Sequence, residues 1–341
     1  MTDPFDHYRP AVEAALHEAL VCPDDGPEQL YGMMAYHLGW RDESLAPTEL
    51  RTGKRLRPLI CLALCDALGG DWQRAVPYAA AIELVHNFTL IHDDIEDDSP
   101  LRHDRPTLWK VWGLAHGINA GDAMWCLARS TLLTLGSSGH EAATVLAAMA
   151  LLDQACLLLC QGQYLDIAYE AHPTITVAAY EQMARGKTAA LLTAVCAGAG
   201  LLAAADSDSQ ALLANLGEEL GLAYQIVDDI LGIWGDTALT GKSTASDIAS
   251  RKKTFPVAYA FEWEAARGSG ELRELYQRPS SQAVDRRIMG LLNRSGAQDY
   301  SLAQARRRHG SLHTLWAQVG ARGPAADALT QLFDSLLLRD H

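Results

Sequence analysis

Apolar residues recur every three or four positions along most of this chain, and this periodicity limits the fold more than any other sequence feature. The segments are long, rich in Ala, Leu, Glu and Gln, and almost free of strand signals. Glycine, serine and proline interrupt them where helices stop. The sequence therefore predicts an all-α bundle of long antiparallel helices around a central cavity. The predicted helices cover residues 5–21, 27–40, 54–69, 73–98, 107–135, 139–170, 176–204, 207–233, 251–267, 281–295, 297–318 and 323–338.

The breaks between these helices contain no segment long or flexible enough to separate two domains. We therefore expect residues 1–341 to form a single domain. The predicted helices 139–170 and 176–204 are apolar on nearly every face, as in the centre of a bundle or in an interface between subunits. A homodimer is therefore expected.

The charge balance argues against several classes of partner. Lys and Arg total 28 against 42 Asp and Glu, a formal net charge of -14. Such a surface repels nucleic acid and anionic membranes. The uncharged run 188–205 just reaches transmembrane length, but we interpret it as a buried helix and expect no stable membrane insertion. With no signal-like N-terminus and seven cysteines in no metal-binding pattern, the sequence predicts a cytoplasmic protein.

An acidic cluster ends the predicted helix 73–98. At 3.6 residues per turn, Asp93 lies on the same face as Asp97, and Asp94 on the same face as Asp98. Each like-charged pair costs about 0.2–0.5 kcal/mol, and the helix dipole disfavours anions at a C-terminus. A solvated charge run is the simplest interpretation of such a cluster, but this one follows a long apolar segment. We therefore interpret it as a site for divalent cations.

A second acidic cluster repeats the arrangement, because Asp228 and Asp229 close another apolar helix before a glycine-rich loop. Two such helix ends predict carboxylates that face one another across a cavity. Mg²⁺ keeps several waters and is bound by one or two carboxylates together with substrate phosphate oxygens. The two clusters therefore indicate a diphosphate held through Mg²⁺.

Basic residues accompany both acidic helix ends in this otherwise acidic chain. Lys54, Arg55 and Arg57 begin a predicted helix, the end that cations avoid unless an anion binds there. Singly, each cation is more often a surface residue, but together they predict a diphosphate pocket. The others follow the two clusters or precede an apolar helix: Arg102, His103, Arg105, Lys187, Lys242, Lys252 and Lys253.

The acidic and basic residues described above, taken in their order along the chain, resemble the motifs of the trans-isoprenyl diphosphate synthases, the polyprenyl synthetase family. The first motif, D-D-x-x-D, is met by Asp93, Asp94 and Asp97. The resemblance covers about residues 50 to 256, and residues 257–341 add further helices. The remaining matches are Gly53, Lys54 and Arg57 of G-K-x-x-R, His86, Arg102 with Arg105, Gln163 and Asp166 of G-Q-x-x-D, Lys187-Thr188, Gln225 with Asp228 and Asp229, Gly241-Lys242, Asp247 and Lys252.

The resemblance implies an enzyme that joins isopentenyl diphosphate to an allylic diphosphate with about three Mg²⁺ ions. It assigns Asp93, Asp97 and Asp228 as metal ligands, with Asp94, Asp98 and Asp229 in support. It also implies substrate-binding and catalytic roles for other positions. Arg102, Lys187 and Lys242 would help withdraw the allylic diphosphate. Lys54, Arg57, His86 and His103 would hold isopentenyl diphosphate, and Thr188 and Gln225 would steady the cation. The other implied substrate-binding positions are Gly53, Gln163, Asp166, Asp229 and Lys252.

Two positions depart from the family pattern. His103 stands where family members often have a second arginine, which predicts weaker or more pH-sensitive binding of isopentenyl diphosphate. Gly232 stands where the second motif has its last aspartate, and glycine has no ligating side chain. Because Asp229 and Asp236 keep charge nearby and the first motif is complete, we expect activity to survive.

Residues one turn before the first motif are expected to set product length in this family. Phe88 and Thr89 hold those positions, and ordinary core packing is the plain alternative for Phe88. An aromatic residue there, without an insertion in D-D-x-x-D, resembles short-chain geranylgeranyl and some farnesyl diphosphate synthases. A C20 product is therefore favoured over C15.

Two other functions stay open from the sequence. A terpene cyclase ionises the same substrates, but it needs neither G-K-x-x-R nor His86, since it binds no isopentenyl diphosphate. A regulatory subunit of a heteromeric synthase would be expected to lose the first motif, which is intact here.

Overall fold

The computed structural model describes residues 3–48, 50, 53–235 and 246–336, and it confirms the predicted all-α fold. A 3₁₀ turn, Trp72–Ala75, leads into α4, and a π-helical segment, Arg185–Ala189, joins α8 to α9. The helices in chain order are α1 Arg9–Ala19, α2 Glu28–His37, α3 Leu56–Ala67, α4 Val76–Glu96, α5 Leu108–Trp112, α6 Leu114–Leu133, α7 Ala142–Ala171, α8 Val177–Ala184, α9 Ala190–Leu202, α10 Ser207–Trp234, α11 Ser246–Ala249, α12 Phe255–Ala265, α13 Glu271–Tyr276, α14 Gln282–Ser295, α15 Ala297–Val319 and α16 Pro324–Ser335.

Two predicted helices are interrupted in the structure. The predicted helix 107–135 breaks at Gly113, whose φ of 90° lies in a region that L side chains rarely adopt. The predicted helix 176–204 contains the π-helical segment, where Gly186 packs against Gly162 of α7. A Cβ atom on Gly162 would lie 2.0 Å from the Lys187 amide nitrogen, so only glycine permits this approach. Such π segments occur frequently at functional sites.

A short antiparallel hairpin follows α4, in a segment with almost no strand signal in its sequence. Its strands are β1, Leu101–Arg102, and β2, Arg105–Pro106. The two turn residues, His103 and Asp104, have φ of 51° and 60°. Positive φ at both central positions is the geometry of a type I′ turn, which matches the twist of the paired strands. With two residues per strand, the hairpin is too short for a visible alternating pattern.

The chain divides into two compact units. The first unit contains residues 1–153, 195–210 and 322–328, and the second contains residues 154–194, 211–321 and 329–341. The first acidic cluster belongs to the first unit, and the second cluster belongs to the second unit. The single-domain organisation, and the expectation that the clusters face one another, stay predictions.

Each unit has its own apolar core. In the first unit α4 is buried along most of its length, and its Tyr78 ring fills the space beside Gly198, where a Cβ atom would lie 2.2 Å from the ring. In the second unit, one hydrophobic cluster includes Tyr180, Ile226 and Phe255 and surrounds the C-terminal half of α10. Both acidic helix ends are therefore attached to well-packed helices.

Among the described residues, α7 is long and apolar enough to cross a membrane by length and composition alone. The run 188–205, which the sequence singled out, contributes only the 13-residue α9. One third of the most apolar window of α7 is buried, and core or interface helices pass the same test. Large apolar side chains are exposed on α6 and α7: Leu114, Ile118, Leu133, Leu146, Leu157, Tyr164 and Ile167.

Candidate active site

The second aspartate of the first cluster is buried and held by an arginine. Asp94 is 2% exposed, and Arg102 Nε donates to its Oδ1 and Oδ2 atoms at 2.9 and 3.1 Å. Arg102 Nη2 lies 2.8 Å from the same Oδ1 atom. Burial raises the pKa of Asp94, and the hydrogen bonds and charge of Arg102 oppose that rise. Asp94 therefore fixes Arg102 at the end of α4.

The other two motif aspartates of this cluster are open to solvent. Asp93 is partly exposed and lies 3.8 Å from Arg102 Nη2, while Asp97 is exposed at the end of α4. Asp98 follows with a φ of 48°, a left-handed conformation that aspartate tolerates and that stops the helix. The carboxylates of Asp93 and Asp97 are thus accessible to an ion from solvent.

The hairpin after α4 carries Arg102 and is fastened by its other arginine. Arg105 donates to the carbonyl oxygens of Tyr36 and Arg41 at 3.2 and 3.0 Å, and its guanidinium lies 4.2 Å from the Tyr36 ring centre. The Tyr36 hydroxyl donates to Pro106 O at 2.7 Å. Arg105 therefore anchors the hairpin to α2, whereas His103 is exposed at its tip.

Three cations at the start of α3 were predicted to lie in the diphosphate pocket, and for Arg55 this prediction is wrong. Arg55 is the N-cap residue, in a left-handed conformation with φ of 52°, and its side chain turns into the core. There it pairs with Glu83 at 2.9 Å and Glu13 at 3.2 Å. Lys54 and Gly53 are exposed, so Arg55 anchors the segment that presents Lys54 and Arg57.

Arg57 and His86 contact each other directly. Arg57 Nη1 lies 3.2 Å from His86 Nε2, and because arginine can only donate, Nε2 accepts and Nδ1 carries the proton. Burial and the nearby Arg57 lower the pKa of His86 well below its usual value. The same causes act on His37 at the end of α2, where burial and the charge of Arg102 lower the pKa to about 3. Both imidazoles are therefore neutral at physiological pH.

In the second unit, Asp229 is the buried member of its pair. Its Oδ2 atom accepts hydrogen bonds from the Tyr180 hydroxyl and from the Phe255 amide, the latter at 2.8 Å. Its Oδ1 atom accepts from Gln225 Nε2 at 3.0 Å, and Thr188 Oγ1 donates to Gln225 Oε1 at 2.6 Å. Burial raises the pKa of Asp229 to about 6, against the lowering effect of Lys252 and these donors. The network joins four helical segments around one carboxylate.

Asp228 is exposed, so each cluster contains a pair of adjacent aspartates of which one is accessible and the other buried. In each pair of adjacent aspartates the first, Asp93 or Asp228, is accessible to solvent. The second, Asp94 or Asp229, is buried and held by protein donors. The resemblance assigns the first aspartates as metal ligands and the second as supports, and these roles stay predictions.

The remaining cations of the second unit lie near this network. Lys187, in the π-helical segment, pairs with Asp166 of α7 at 2.6 Å, and Gln163 lies one turn earlier on α7. Despite burial, the surrounding carboxylates, Asp229 first among them, raise the pKa of Lys252. Lys242 lies outside the described residues.

Gly232 leaves space that another carboxylate occupies. A Cβ atom on Gly232 would lie 2.1 Å from Asp247 Oδ2. The family-pattern aspartate missing from α10 is thus replaced in space by the side chain of Asp247, which belongs to α11. Asp236, which the sequence offered as compensation, lies outside the described residues.

The predicted chain-length residues lie on α4 in the first unit. Phe88 is buried and packs edge-to-face against His92, with ring centroids 5.9 Å apart. His92 in turn occupies the space beside Gly121 of α6, where a Cβ atom would lie 2.2 Å from its Nε2. The Thr89 hydroxyl donates to His86 O at 2.7 Å. Phe88 and His92 therefore form an aromatic pair on α4, just before the acidic cluster in sequence.

Two residues of these networks were missed from the sequence. Tyr180, which holds Asp229, is 49 residues from it, and nothing in its helix distinguishes it from a core tyrosine. Glu83, which holds Arg55, lies inside an apolar helix, and its charge at an otherwise apolar position was the available signal.

The fold and these two networks define an all-helical enzyme of the isoprenoid synthase type. A model of the family described as polyprenyl synthetase matches residues 42–291, and the chain belongs to that family. It is accordingly a prenyltransferase that acts on isoprenoid diphosphates.

Curated relatives carry two product names. A geranylgeranyl diphosphate synthase of Mycobacterium tuberculosis is 42% identical over 266 residues, which cover 78% of this chain and 74% of that protein. A (2E,6E)-farnesyl diphosphate synthase of Mycobacterium bovis is 42% identical over 243 residues, which cover 71% of this chain and 65% of that protein. A crystal structure of polyprenyl synthetase from Streptomyces coelicolor A3(2) superposes with a TM-score of 0.88 at 33% identity, covering 97% of this chain and 98% of the other.

Proposed function

We propose that this protein condenses isopentenyl diphosphate with an allylic diphosphate, in a Mg²⁺-dependent reaction, to give a short all-trans prenyl diphosphate. The proposal rests on one observation: both pairs of adjacent aspartates contain one buried and one accessible member. Asp94 and Asp229 are held by protein donors, while Asp93 and Asp228 are accessible to solvent. An enzyme that binds metal-complexed diphosphate needs accessible carboxylates on a fixed framework.

The residues present fit Mg²⁺. Asp93, Asp97 and Asp228 offer carboxylate oxygens, the ligand type that hard cations prefer, and each is at least partly exposed. About three ions are proposed from the family resemblance. When bound, such ions neutralise the charge that develops on a departing diphosphate.

The chain's own residues supply orientation and fixed charge. Arg102, held in place by Asp94, presents a cation beside Asp93 to an allylic diphosphate. Lys187 does the same in the second unit, and Lys242 is proposed to supply a further positive charge. Gln225 and Thr188, fixed by one hydrogen bond to each other, offer polar oxygens to a carbocation.

The isopentenyl diphosphate group is proposed to bind at the start of α3. Lys54 and Arg57 supply positive charge there, with Gly53 allowing close backbone approach. Neutral His86 keeps its Nδ1 proton available for donation while Nε2 faces Arg57. His103 is proposed to contribute from the hairpin tip. In the second unit Gln163, Asp166 and Lys252 are proposed to help bind substrate, Asp166 by positioning Lys187.

A C20 product is proposed over C15. The relatives named above include both a geranylgeranyl and a farnesyl diphosphate synthase, which supports a short chain but not a particular length. Phe88, buried one turn below the first motif, is proposed to limit chain growth.

A homodimer in the cytoplasm is also proposed. The large apolar side chains exposed on α6 and α7 support it, because a second copy would remove them from water.

Incubation of the purified full chain with isopentenyl diphosphate and each allylic primer in turn, with and without Mg²⁺, tests the proposal. We expect linear products that lengthen by five carbons only when both substrates and Mg²⁺ are present. Cyclised hydrocarbon formed without isopentenyl diphosphate would instead identify a terpene cyclase. Complete inactivity of the chain alone would favour a regulatory subunit.

A further inference from the structure

Two histidines and a carboxylate converge where α15 approaches α16 in the second unit. His309 and His313 lie one turn apart on α15, and Asp334 lies on α16. One ligand atom from each of the three lies within 4.8 Å of the others. The two Nε2 atoms are 3.1 Å apart, His313 Nε2 is 3.1 Å from Asp334 Oδ1, and His309 Nε2 is 3.1 Å from Phe333 O.

No placement of protons on the two Nε2 atoms makes all three of these contacts favourable. If both Nε2 atoms carry a proton, each donates to its oxygen, but two N–H groups then oppose each other at 3.1 Å. If only His309 carries one, the lone pair of His313 faces the Asp334 carboxylate. If only His313 carries one, the lone pair of His309 faces Phe333 O. A proton on neither Nε2 atom leaves lone pairs facing each other in all three contacts. With Asp334 ionised, every arrangement therefore leaves at least one repulsive contact.

We propose that this cluster binds a zinc ion. A cation placed among His309 Nε2, His313 Nε2, Asp334 Oδ1 and Phe333 O would accept all four lone pairs and remove the repulsion. Zinc binds imidazole nitrogen at about 2.0–2.1 Å in tetrahedral geometry, which sets the ligand atoms about 3.3 Å apart. Three of the separations, at 3.1 Å each, are therefore close to those of a formed site, and the ligand atoms of His309 and Asp334 lie within 4.8 Å of each other. Two histidines four residues apart on one helix are a recurrent zinc-binding arrangement.

The ligand set favours zinc over the Mg²⁺ of the proposed reaction. Two of the four atoms are imidazole nitrogens, which suit zinc, whereas Mg²⁺ prefers oxygen ligands. His313 and Asp334 are partly exposed, with side-chain exposures of 31% and 56%, so an ion can enter from solvent. The site would link α15 to the last described helix and stabilise that end of the second unit.

Isothermal titration of the full chain with ZnCl₂ in a large excess of MgCl₂ tests the inference, because Mg²⁺ then saturates the aspartate clusters. We expect one zinc ion per chain, with an affinity reduced roughly tenfold or more in His313→Ala and in Asp334→Asn. The exposed His116 on α6 provides the control, His116→Ala, which should bind as the unmodified protein does. Asp334→Asn changes only an exposed carboxylate and is therefore expected to fold.

Cobalt provides a readout independent of activity. CoCl₂ added to the protein should give the intense visible d–d absorption of a four-coordinate site, and this band should disappear in His309→Ala. The inference is overturned if the unmodified chain binds no zinc, or if zinc affinity and the cobalt spectrum are unchanged in His313→Ala and Asp334→Asn. Because neither measurement uses substrate, failure here leaves the proposed prenyltransfer reaction unaffected.

Discussion

Arg102 Nε lies 2.9 Å from Asp94 Oδ1, and this contact attaches the hairpin after α4 to the buried side of the first acidic cluster. The corresponding residue of the second cluster, Asp229, is also buried, but its hydrogen-bond donors are neutral, among them Tyr180, and the charge of Lys252 lowers its pKa as well. The two buried carboxylates therefore accept hydrogen bonds from different kinds of donor, a charged guanidinium for Asp94 and neutral groups for Asp229.

Removing the arginine tests the first of these arrangements. Arg102→Ala leaves the Asp94 carboxylate buried without its cation, so the free energy of unfolding should fall by about 3 kcal/mol in urea titrations. Arg102→Ala combined with Asp94→Asn should recover part of that loss, because the uncompensated charge is gone. Additive losses in the double variant would contradict this account.

Arg129 provides a matched control for the arginine variant. It pairs with Asp153 at 3.2 Å, but both side chains are about two-fifths exposed, at 39% and 41%. Arg129→Ala should therefore change the free energy of unfolding by about 1 kcal/mol or less.

The hydrogen bond from Tyr180 to Asp229 predicts that Tyr180→Phe changes the pH dependence of kcat. The Tyr180 hydroxyl lowers the pKa of Asp229, so its removal should raise that pKa above about 6. More of the carboxyl is then protonated near neutral pH, and Gln225 loses a charged acceptor. We expect the acidic limb of the kcat profile to move to higher pH, with kcat at pH 6 reduced roughly threefold or more relative to pH 8.

Tyr276→Phe is the control for this tyrosine. Its hydroxyl is buried in the second unit and has no hydrogen-bond partner among the residues the structure describes. Its removal should leave the pH profile unchanged. An unshifted profile in Tyr180→Phe as well would show that the hydroxyl does not tune Asp229.

The sequence predicted much of this organisation for physical reasons. Helices such as α4 and α10 have long buried faces, and that burial produces the apolar periodicity from which they were predicted. The contrast between Arg55 and Arg57 was not predictable. Both are arginines at one helix start, and the left-handed backbone of Arg55 alone directs its side chain to Glu83. Tyr180 was missed because only tertiary packing brings it to Asp229.

The lowered pKa of His37 predicts that the free energy of unfolding depends on pH. Burial and nearby arginines lower its pKa to about 3 in the folded chain, against about 6.5 when unfolded. Between these values the unfolded state binds a proton that the folded state does not, so stability falls as pH falls. His37→Gln should reduce this slope by about 1.4 kcal/mol per pH unit in urea titrations between pH 6 and 4.

The exposed His116 again provides a comparison, since it lies on the surface of α6. His116→Gln should leave the slope unchanged. Asp229 contributes with the opposite sign, because its pKa is raised to about 6, but it is present in both variants and cancels. Equal slopes for His37→Gln and the unmodified protein would contradict a lowered pKa of His37 in the folded chain.

Restoring the missing aspartate of the second motif should harm the enzyme. In Gly232→Asp the new Cβ atom would meet Asp247 Oδ2, so Asp247 must move and two carboxylates must share one space. We expect a loss of about 1–3 kcal/mol in unfolding free energy and reduced kcat. Gly232→Asp with Asp247→Ala should recover stability. A gain of activity in Gly232→Asp alone would show that Asp247 does not replace the lost side chain.

Phe88 offers the sharpest test of product length. Its buried ring packs against His92 one turn below Asp93, so Phe88→Ala should open space along α4 and shift the product from C20 to longer chains. Phe88→Leu, which removes less volume and costs less stability, should shift it less. Chromatographic sizing of the dephosphorylated products measures both. Phe261→Leu, which alters a buried ring of the second unit, should leave product length unchanged, and an identical profile in all three variants would remove Phe88 as the barrier to chain growth.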